Sequence, residues 1–127
     1  MKDLVIKGEA KTPTINFNFL NGELLISGRS IPENSVEFYE PVIAWLDEYK
    51  SSNAGALKID IKLEYFNTSS SKCILDLFKK LEEVKEVDKD VIINWYYEAD
   101  DEDMEEAGQD FQAIINVPMK LISVESL

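Results

Sequence analysis

The 127-residue sequence contains no histidine and a single cysteine, Cys73. Without histidine, the chain can build neither a Ser-His-Asp triad nor a Cys-His pair nor a histidine-ligated metal site. One thiol can form neither an internal disulfide nor a cysteine-based zinc site. A glycine-rich phosphate-binding loop is absent as well. These absences weigh against an enzyme and against a bound metal or cofactor.

Long apolar runs and basic residues are also scarce. The apolar runs are too short to span a membrane, and the N-terminal MKDLVIKGEAK lacks the apolar block of a signal peptide, so we expect a cytoplasmic protein. The 25 acidic residues outnumber the 13 basic residues and give a formal net charge of −12. Such a chain repels phosphate backbones and anionic lipid, which argues against nucleic acid and membranes as partners, and it attracts basic protein surfaces.

The length of the chain and its 45% of hydrophobic residues indicate one globular domain over residues 1–127. Alternating apolar residues predict strands, and apolar residues at three- and four-residue spacing predict helices. The predicted strands are Leu4–Ile6, Thr14–Phe19, Glu23–Ser27, Ala56–Phe66, Asp90–Glu98 and a last short strand in MKLISV. The predicted helices lie in SIPENSVEFYEPVIAWLDEYK, interrupted or kinked at Pro41, and at about Ser69–Val84 and Glu102–Ile115.

The order of these elements predicts an α/β fold. The later strand-helix-strand steps favour parallel neighbours with right-handed crossovers, and Asn21-Gly22 predicts a hairpin. In Ala56–Phe66, apolar residues from Leu57 to Tyr65 alternate with charged ones, so this strand is covered on one face only. We therefore predict a two-layer sandwich: a mixed β-sheet with helices mainly on one face. The aromatic residues Tyr65, Phe66 and Trp95 are predicted to belong to the core rather than to a partner surface.

Four hydroxyl residues follow one another in LEYFNTSSSK, between a predicted strand and a predicted helix. Asn67 or Thr68 can cap this helix by accepting hydrogen bonds from its first N–H groups, and capping alone is the commonest role for such residues. The turn also lies at the carboxyl end of a strand, where α/β folds place ligands. A phosphate on Thr68 would be stabilised there by free N–H groups, by the helix dipole and by Lys72. The residues alone leave both interpretations open.

A second unusual stretch is YEADDEDMEEAGQD, Tyr97–Asp110, in which eight of fourteen residues are acidic and none is basic. Carboxylates stabilise a helix N-terminus, which explains Asp101, Glu102 and Asp103 but not the length of the run. The EF-hand spacing is absent, which argues against a metal site. We favour a docking surface for basic residues of a partner, because clustered charge speeds and orients association.

Three blocks of the sequence resemble a known family. KGEAKTPTINFNFLNGELLISGRSIPENSVEFYEPVIAWLDEY, LEYFNTSSSK and WYYEADDEDMEEAGQDF are similar to the SiaC-type regulatory phosphoproteins of bacteria, between about Lys7 and Phe111. The resemblance implies a non-enzymatic substrate of a serine/threonine kinase and a PP2C-type phosphatase, with a fold similar to STAS-type anti-sigma-factor antagonists. It implies that the unphosphorylated form binds and activates a diguanylate cyclase, which raises cyclic di-GMP, and that phosphorylation releases the cyclase.

The residues and the resemblance together define a predicted site. The resemblance implies Thr68 as the phosphorylated residue, and no residue is predicted to be catalytic or to bind a metal or cofactor. The residues predicted to contact partners are Glu64, Asn67, Ser69, Ser70, Ser71 and Lys72 around the hydroxyl cluster, and Asp100, Asp101, Glu102 and Asp103 in the acidic run. The alternative is a constitutive adaptor whose acidic helix docks a basic partner surface without phosphorylation.

Overall fold

A computed structural model describes residues 1–127 as six strands and three α-helices. In chain order these are β1 (Leu4–Ile6), β2 (Thr14–Asn18), β3 (Glu23–Ser30), α1 (Ser35–Lys50), β4 (Leu57–Phe66), α2 (Thr68–Glu86), β5 (Val91–Glu98), α3 (Glu102–Ile114) and β6 (Met119–Val124). All the predicted elements are present, including the strand in MKLISV. None of the helices is both long enough and apolar enough to cross a membrane.

The strands form one sheet whose spatial order, β1-β2-β3-β4-β5-β6, is the order of the chain. The first three strands pair antiparallel, and β3, β4, β5 and β6 pair parallel. Each of the three helical crossovers steps to the next strand in the same direction. Right-handed crossovers that step in one direction place their helices on the same face of the sheet. The predicted mixed sheet and two-layer sandwich are therefore confirmed.

Trp95 of β5 is the centre of the core beneath α2 and α3. Its side chain is fully buried, and its ring lies within 6.3 Å of the rings of Phe66, Phe78 and Phe111, measured between centroids. Its indole N–H donates to the main-chain oxygen of Met104 at 3.0 Å. One aromatic side chain thus ties both helices to the sheet, and the prediction that Trp95 belongs to the core is confirmed.

The opposite face of the sheet has no helix over it and carries polar and charged side chains. The Asn94 amide donates to the Asp60 carboxylate at 2.9 Å across β4 and β5. The Lys62 ammonium lies 4.8 Å from the centre of the Tyr96 ring. From Leu57 to Leu63 the predicted alternation of buried and open side chains in β4 is confirmed.

The alternation predicted for the end of β4 is wrong. Arg29 of β3 pairs with Tyr65, and Glu64 is an extra residue without a partner in β3, which makes a β-bulge. After the bulge, each side chain of β4 points to the face of the sheet opposite to the one that the alternation predicts. Tyr65 is 50% exposed, with the Arg29 guanidinium 5.8 Å from its ring centre, while Phe66 packs against Trp95. The prediction that Tyr65 belongs to the core is therefore wrong, and Phe66 occupies the place on the buried face.

Helix α1 was predicted to be interrupted or kinked at Pro41, but it runs continuously from Ser35 to Lys50. Proline removes the N–H that would donate to the Glu37 carbonyl and its ring crowds that carbonyl, but Pro41 is on the exposed side of the helix. Asn34 caps the helix, because its side-chain oxygen accepts from the Glu37 N–H at 3.1 Å. Capping and burial of the opposite face sustain the helix despite one missing hydrogen bond.

Candidate functional site

Three strand ends and three helix starts meet at one edge of the sheet. The parallel strands β3, β4 and β5 end there at Ser30, Phe66 and Glu98, and each leads directly into a helix. The first N–H groups of a helix lack partners within the helix and carry partial positive charge. In α/β proteins this carboxyl edge is where ligands bind. Strand β3 reaches it because it continues beyond the predicted Ser27.

The start of α2 leaves the Thr68 hydroxyl free. Of the two predicted caps, Asn67 is the cap, since its side-chain oxygen accepts from the Ser70 N–H at 2.9 Å. Thr68 is the first helical residue, and its side chain is exposed. The backbone N–H groups of Thr68 and Ser69 find no acceptor within the protein. An exposed hydroxyl therefore lies beside two unused hydrogen-bond donors at the positive end of a helix.

Thr68 lines a groove of about 430 Å³ between α2 and α3. The polar residues of this groove, here called the Thr68 groove, are Thr68, Ser71, Lys72 and Asp110, and its apolar residues are Phe66, Leu75, Ala107, Phe111 and Ile114. Ile114 is 65% exposed, which is unusual for an isoleucine on a helix of this small domain. The sequence reasoning missed Asp110 and the apolar residues. The sequence contained one signal for the groove: Phe111 and Ile114 are apolar residues at helical spacing, on a helix that already has a buried face.

The two charged residues of the Thr68 groove, Lys72 and Asp110, would act on an anion at Thr68 in opposite directions. Lys72 lies one helical turn after Thr68 on the same face of α2, and it forms no salt bridge. Its ammonium group is therefore available to an anion at Thr68. Asp110 faces the same groove from α3 and opposes such an anion. The predicted contact residues Ser69 and Lys72 are exposed and Ser71 is half-buried, so all three can reach a molecule bound in or beside this groove.

Ser70 must be removed from the predicted contact residues, because its side chain is 0% exposed. It belongs to a buried cluster of hydroxyl groups that joins β3, α1 and α2. The Ser30 hydroxyl lies 2.8 Å from that of Ser70 and 2.6 Å from that of Tyr39, and the Ser35 hydroxyl lies 3.4 Å from that of Ser70. Burial raises the pKa of Tyr39 to about 12. The role of Ser70 is to fix the start of α2 against its neighbours.

The acidic run forms a separate cleft. Its lining residues are Glu98, Asp100, Asp101, Glu102 and Asp103, around about 450 Å³, and none of them lines the Thr68 groove. Asp101 caps α3 by accepting from the Met104 N–H at 3.1 Å. The carboxylates do not converge in a group that could hold a metal ion. The two predicted halves of the site thus lie at the starts of neighbouring helices and not in one pocket. The exposed Glu64 lies in the bulge of β4 and lines neither the Thr68 groove nor the acidic cleft.

Comparison with known proteins agrees with this architecture. A model of the SiaC family regulatory phosphoproteins matches residues 6–124. An uncharacterized protein of Pseudomonas aeruginosa (strain UCBPP-PA14) is 33% identical over 121 residues, which are 95% of this chain and 96% of that protein. The structure of SiaC of Pseudomonas aeruginosa matches with a TM-score of 0.90 and 31% identity, covering 98% of this chain and 100% of the other.

A second solved structure is that of the diguanylate cyclase SiaD of Pseudomonas aeruginosa in complex with its activator SiaC. It contains a chain that matches with a TM-score of 0.91 and 32% identity, covering 96% of this chain and 100% of the other. The match of the family model along nearly the whole sequence, together with likeness in fold and length, confirms the resemblance seen in the sequence. The chain belongs to the SiaC family of regulatory phosphoproteins, which are regulators and not enzymes.

Proposed function

We propose that this protein is a switch in which a serine/threonine kinase phosphorylates Thr68, a PP2C-type phosphatase removes the phosphate, and the unmodified form binds and activates a diguanylate cyclase. The observation that carries the proposal is the exposed Thr68 hydroxyl at the first residue of α2, on the rim of an apolar groove. The family description supports phosphorylation as the chemistry, and the complex of SiaC with SiaD supports a cyclase as the output partner.

The start of α2 can carry a phosphate without unfolding. The N–H groups of Thr68 and Ser69 can donate to it, and an anion at a helix N-terminus is stabilised by about 0.3–1 kcal/mol when exposed. The unpaired Lys72 ammonium adds a charge of the right sign one turn away. The half-buried cap at Asn67 and the Ser70 hydroxyl contacts do not involve the Thr68 side chain. Phosphorylation therefore changes the surface and leaves the fold intact.

The same phosphate opposes any partner that covers the Thr68 groove. It adds a charge of about −1.5 to −2 at neutral pH beside five apolar residues and Asp110. Burying an ion in an interface costs several kcal/mol unless the partner pairs it well. A loss of about 3 kcal/mol corresponds to roughly a hundredfold weaker binding. The expected direction is therefore that the unmodified protein binds the cyclase and the phosphorylated protein does not.

The experiment compares Thr68 variants for binding to a diguanylate cyclase of the same organism and for stimulation of cyclic di-GMP synthesis. Thr68→Val, which is nearly isosteric and cannot be phosphorylated, should bind and stimulate like the wild type. Thr68→Asp should bind at least about tenfold more weakly, because one carboxylate imitates part of the phosphate charge. Asn53→Asp is the matched control, since it adds the same charge in an exposed loop outside the Thr68 groove, and it should bind normally.

The site assignment is tested separately by incubating the protein with the cognate kinase and mapping the phosphate by mass spectrometry. We expect phosphate on Thr68 and none on Thr68→Val. Phosphate on another residue with Thr68 unmodified would contradict the assignment. Equal stimulation of the cyclase by Thr68→Val, by Thr68→Asp and by the phosphorylated wild type would contradict the switch.

A constitutive acidic adaptor is the second candidate, and the separate acidic cleft is the observation that favours it. Charge reversal at Asp100 and Asp103 should abolish partner binding in the adaptor, whatever the state of Thr68. Asp101 must be left unchanged in this test, because it caps α3 and its loss would destabilise the helix. Normal cyclase binding by the double variant Asp100→Lys, Asp103→Lys would reject the adaptor.

A further inference from the structure

A second groove lies on the other side of α2, between α1 and α2, with a volume of about 350 Å³. Its apolar residues are Val36, Tyr39, Ile43, Ala44 and Cys73, and its charged residues are Glu40, Asp47, Asp76 and Lys80. It shares no residue with the Thr68 groove or with the acidic cleft. We call it the α1–α2 groove.

Helix α1 has more apolar surface than its place in the core requires. One face is buried by Val42, Leu46 and Tyr49, among others. The α1–α2 groove adds a second stripe, in which Val36, Ile43 and Ala44 stand at the spacing of one helix face. Val36 is 72% exposed and Ala44 is exposed too. A helix that packs against a sheet on one face normally has a polar outer face, so this stripe calls for a partner.

The charges in and beside the stripe are mostly acidic and partly unpaired. The Lys80 ammonium, the one basic group of the groove, is bonded to Asp47 and to Glu83, each at 3.3 Å. The carboxylates of Glu40 on α1 and Asp76 on α2 form no salt bridge. Glu40 lies within the stripe of α1, four residues after Val36, and Asp76 lies across the groove on α2, so each helix places one free carboxylate among or beside the apolar residues. The surface that complements the groove combines apolar side chains with positive charge facing each helix.

We propose that the α1–α2 groove is a docking site for a basic amphipathic helix of a partner protein. Such a helix places apolar residues at i, i+3, i+4 and i+7 into a groove between two helices, with lysine or arginine beside the line to meet the carboxylates. The net charge of −12 draws a basic segment toward the protein before contact. A second copy of this chain is a poor occupant, because it brings the same negative charge to a groove that is itself acidic.

The proposed docking is independent of Thr68. The Thr68 groove and the α1–α2 groove lie on opposite sides of α2, so a phosphate at Thr68 does not stand among the residues that would hold the helix. One partner can therefore stay bound at the α1–α2 groove while the state of Thr68 changes. This independence separates the inference from the proposed switch, because either can fail without the other.

The test uses a fluorescent synthetic helix of about 18 residues, long enough to be helical in isolation, with leucines in an i, i+3, i+4, i+7 stripe and lysines on both sides. The matched probe has glutamate in place of every lysine. Affinity for the full-length protein is measured by fluorescence anisotropy at physiological ionic strength, and the bound site is mapped by amide chemical-shift changes. We expect shifts along Val36–Asp47 and around Asp76, and no binding of the glutamate probe.

Two pairs of variants locate the binding site. Asp76→Lys should weaken binding of the lysine probe about fivefold to tenfold, because it removes an attraction and adds a repulsion, while Glu106→Lys on the exposed face of α3 should change it less than about twofold. Val36→Ser should weaken it about tenfold, since a buried valine side chain is lost from the contact. Val87→Ser, which alters an exposed valine outside the groove, should leave it unchanged.

The remaining outcomes overturn the inference. Equal weakening by Glu106→Lys and Asp76→Lys, with shifts at the start of α3, would mean that the probe binds acidic surface without using the groove. Equal affinity for the lysine probe and the glutamate probe would show that the carboxylates of the groove do not select a basic partner. Self-association in sedimentation experiments that Val36→Ser abolishes would identify a second copy as the occupant. Thr68→Asp should bind the lysine probe like the wild type, and a change in affinity, above all a gain from the added negative charge, would assign the probe to the Thr68 groove.

Discussion

Gly108 lies in α3 at a point where the helix approaches the sheet so closely that no side chain fits. A Cβ atom at this position would lie 2.6 Å from Cδ1 of Trp95 and 2.8 Å from both Nε1 of Trp95 and Cδ2 of Leu121. The Trp95 ring is enclosed by the core and held by its hydrogen bond to Met104, so it has no space into which to turn. The substitution Gly108→Ala must push α3 outward or displace Trp95.

Two opposing effects set the size of the change. Alanine is favoured over glycine within a helix by about 1 kcal/mol. An extra methyl group in a packed core costs about 1–3 kcal/mol, and disturbing the hydrogen bond of the buried indole costs roughly another 1 kcal/mol. The cost exceeds the gain, so we expect Gly108→Ala to lower the free energy of unfolding by about 1–3 kcal/mol. For a domain of this size that corresponds to a fall in Tm of roughly 4–11 °C.

Thermal and urea unfolding, followed by tryptophan fluorescence and circular dichroism, measure this loss. Gly55→Ala is the matched control, because a Cβ atom there would meet no other atom within 4 Å. Gly55→Ala should leave the stability unchanged or raise it by up to about 1 kcal/mol, since alanine restricts the unfolded chain. A Tm for Gly108→Ala equal to or above that of the wild type would refute the close packing of α3 on Trp95.

Three further predictions concern the start of α2 and the hydroxyl cluster beneath it. Ser70→Ala should lower the free energy of unfolding by about 1–2 kcal/mol, because buried hydroxyl groups lose a partner, whereas exposed Ser69→Ala should stay within about 0.5 kcal/mol in the same urea titration. Asn67→Ala should cost about 1 kcal/mol through loss of the cap, and unchanged helicity and stability relative to a loop control, Asn53→Ala, would contradict the capping role. Because the folded-state pKa of Tyr39 is raised to about 12, the stability from its neutral form is present below pH 10 and is lost between about pH 10 and pH 12, on the order of 2–3 kcal/mol. Stability measured across this range should fall less steeply for Tyr39→Phe, and an identical slope would contradict the buried, protonated phenol.

The parts of the fold that follow from local periodicity could be predicted from the sequence. Strand β4 shows its alternation from Leu57 to Leu63 because only one face of the sheet is covered, and the helices show the spacing of their buried faces. The position of Thr68 at the carboxyl edge followed from the order of strand and helix alone. These features depend on residues that are neighbours in the sequence, and the pattern of neighbours is visible there.

The features that the sequence could not predict depend on residues far apart in the chain. The bulge at Glu64 exists only relative to the register of β3, and it exchanges the environments of Tyr65 and Phe66. Ser70 is buried and Ser69 is exposed because Ser30, 40 residues earlier, reaches the former. Likewise, the walls of the Thr68 groove come from both α2 and α3, so neither helix alone shows the groove in its sequence.

The agreement between strand order and chain order has a consequence for how this protein is made. No later strand has to insert between two earlier ones, so each strand can dock on the edge left by the one before it as synthesis proceeds. The sheet grows at one edge only, that of the newest strand, while β1 forms the other edge throughout and β6 becomes the last edge strand. We expect the sheet to form strand by strand from the N-terminus during translation. Incorrect strand pairing has little opportunity, because each new strand finds its partner strand already in place.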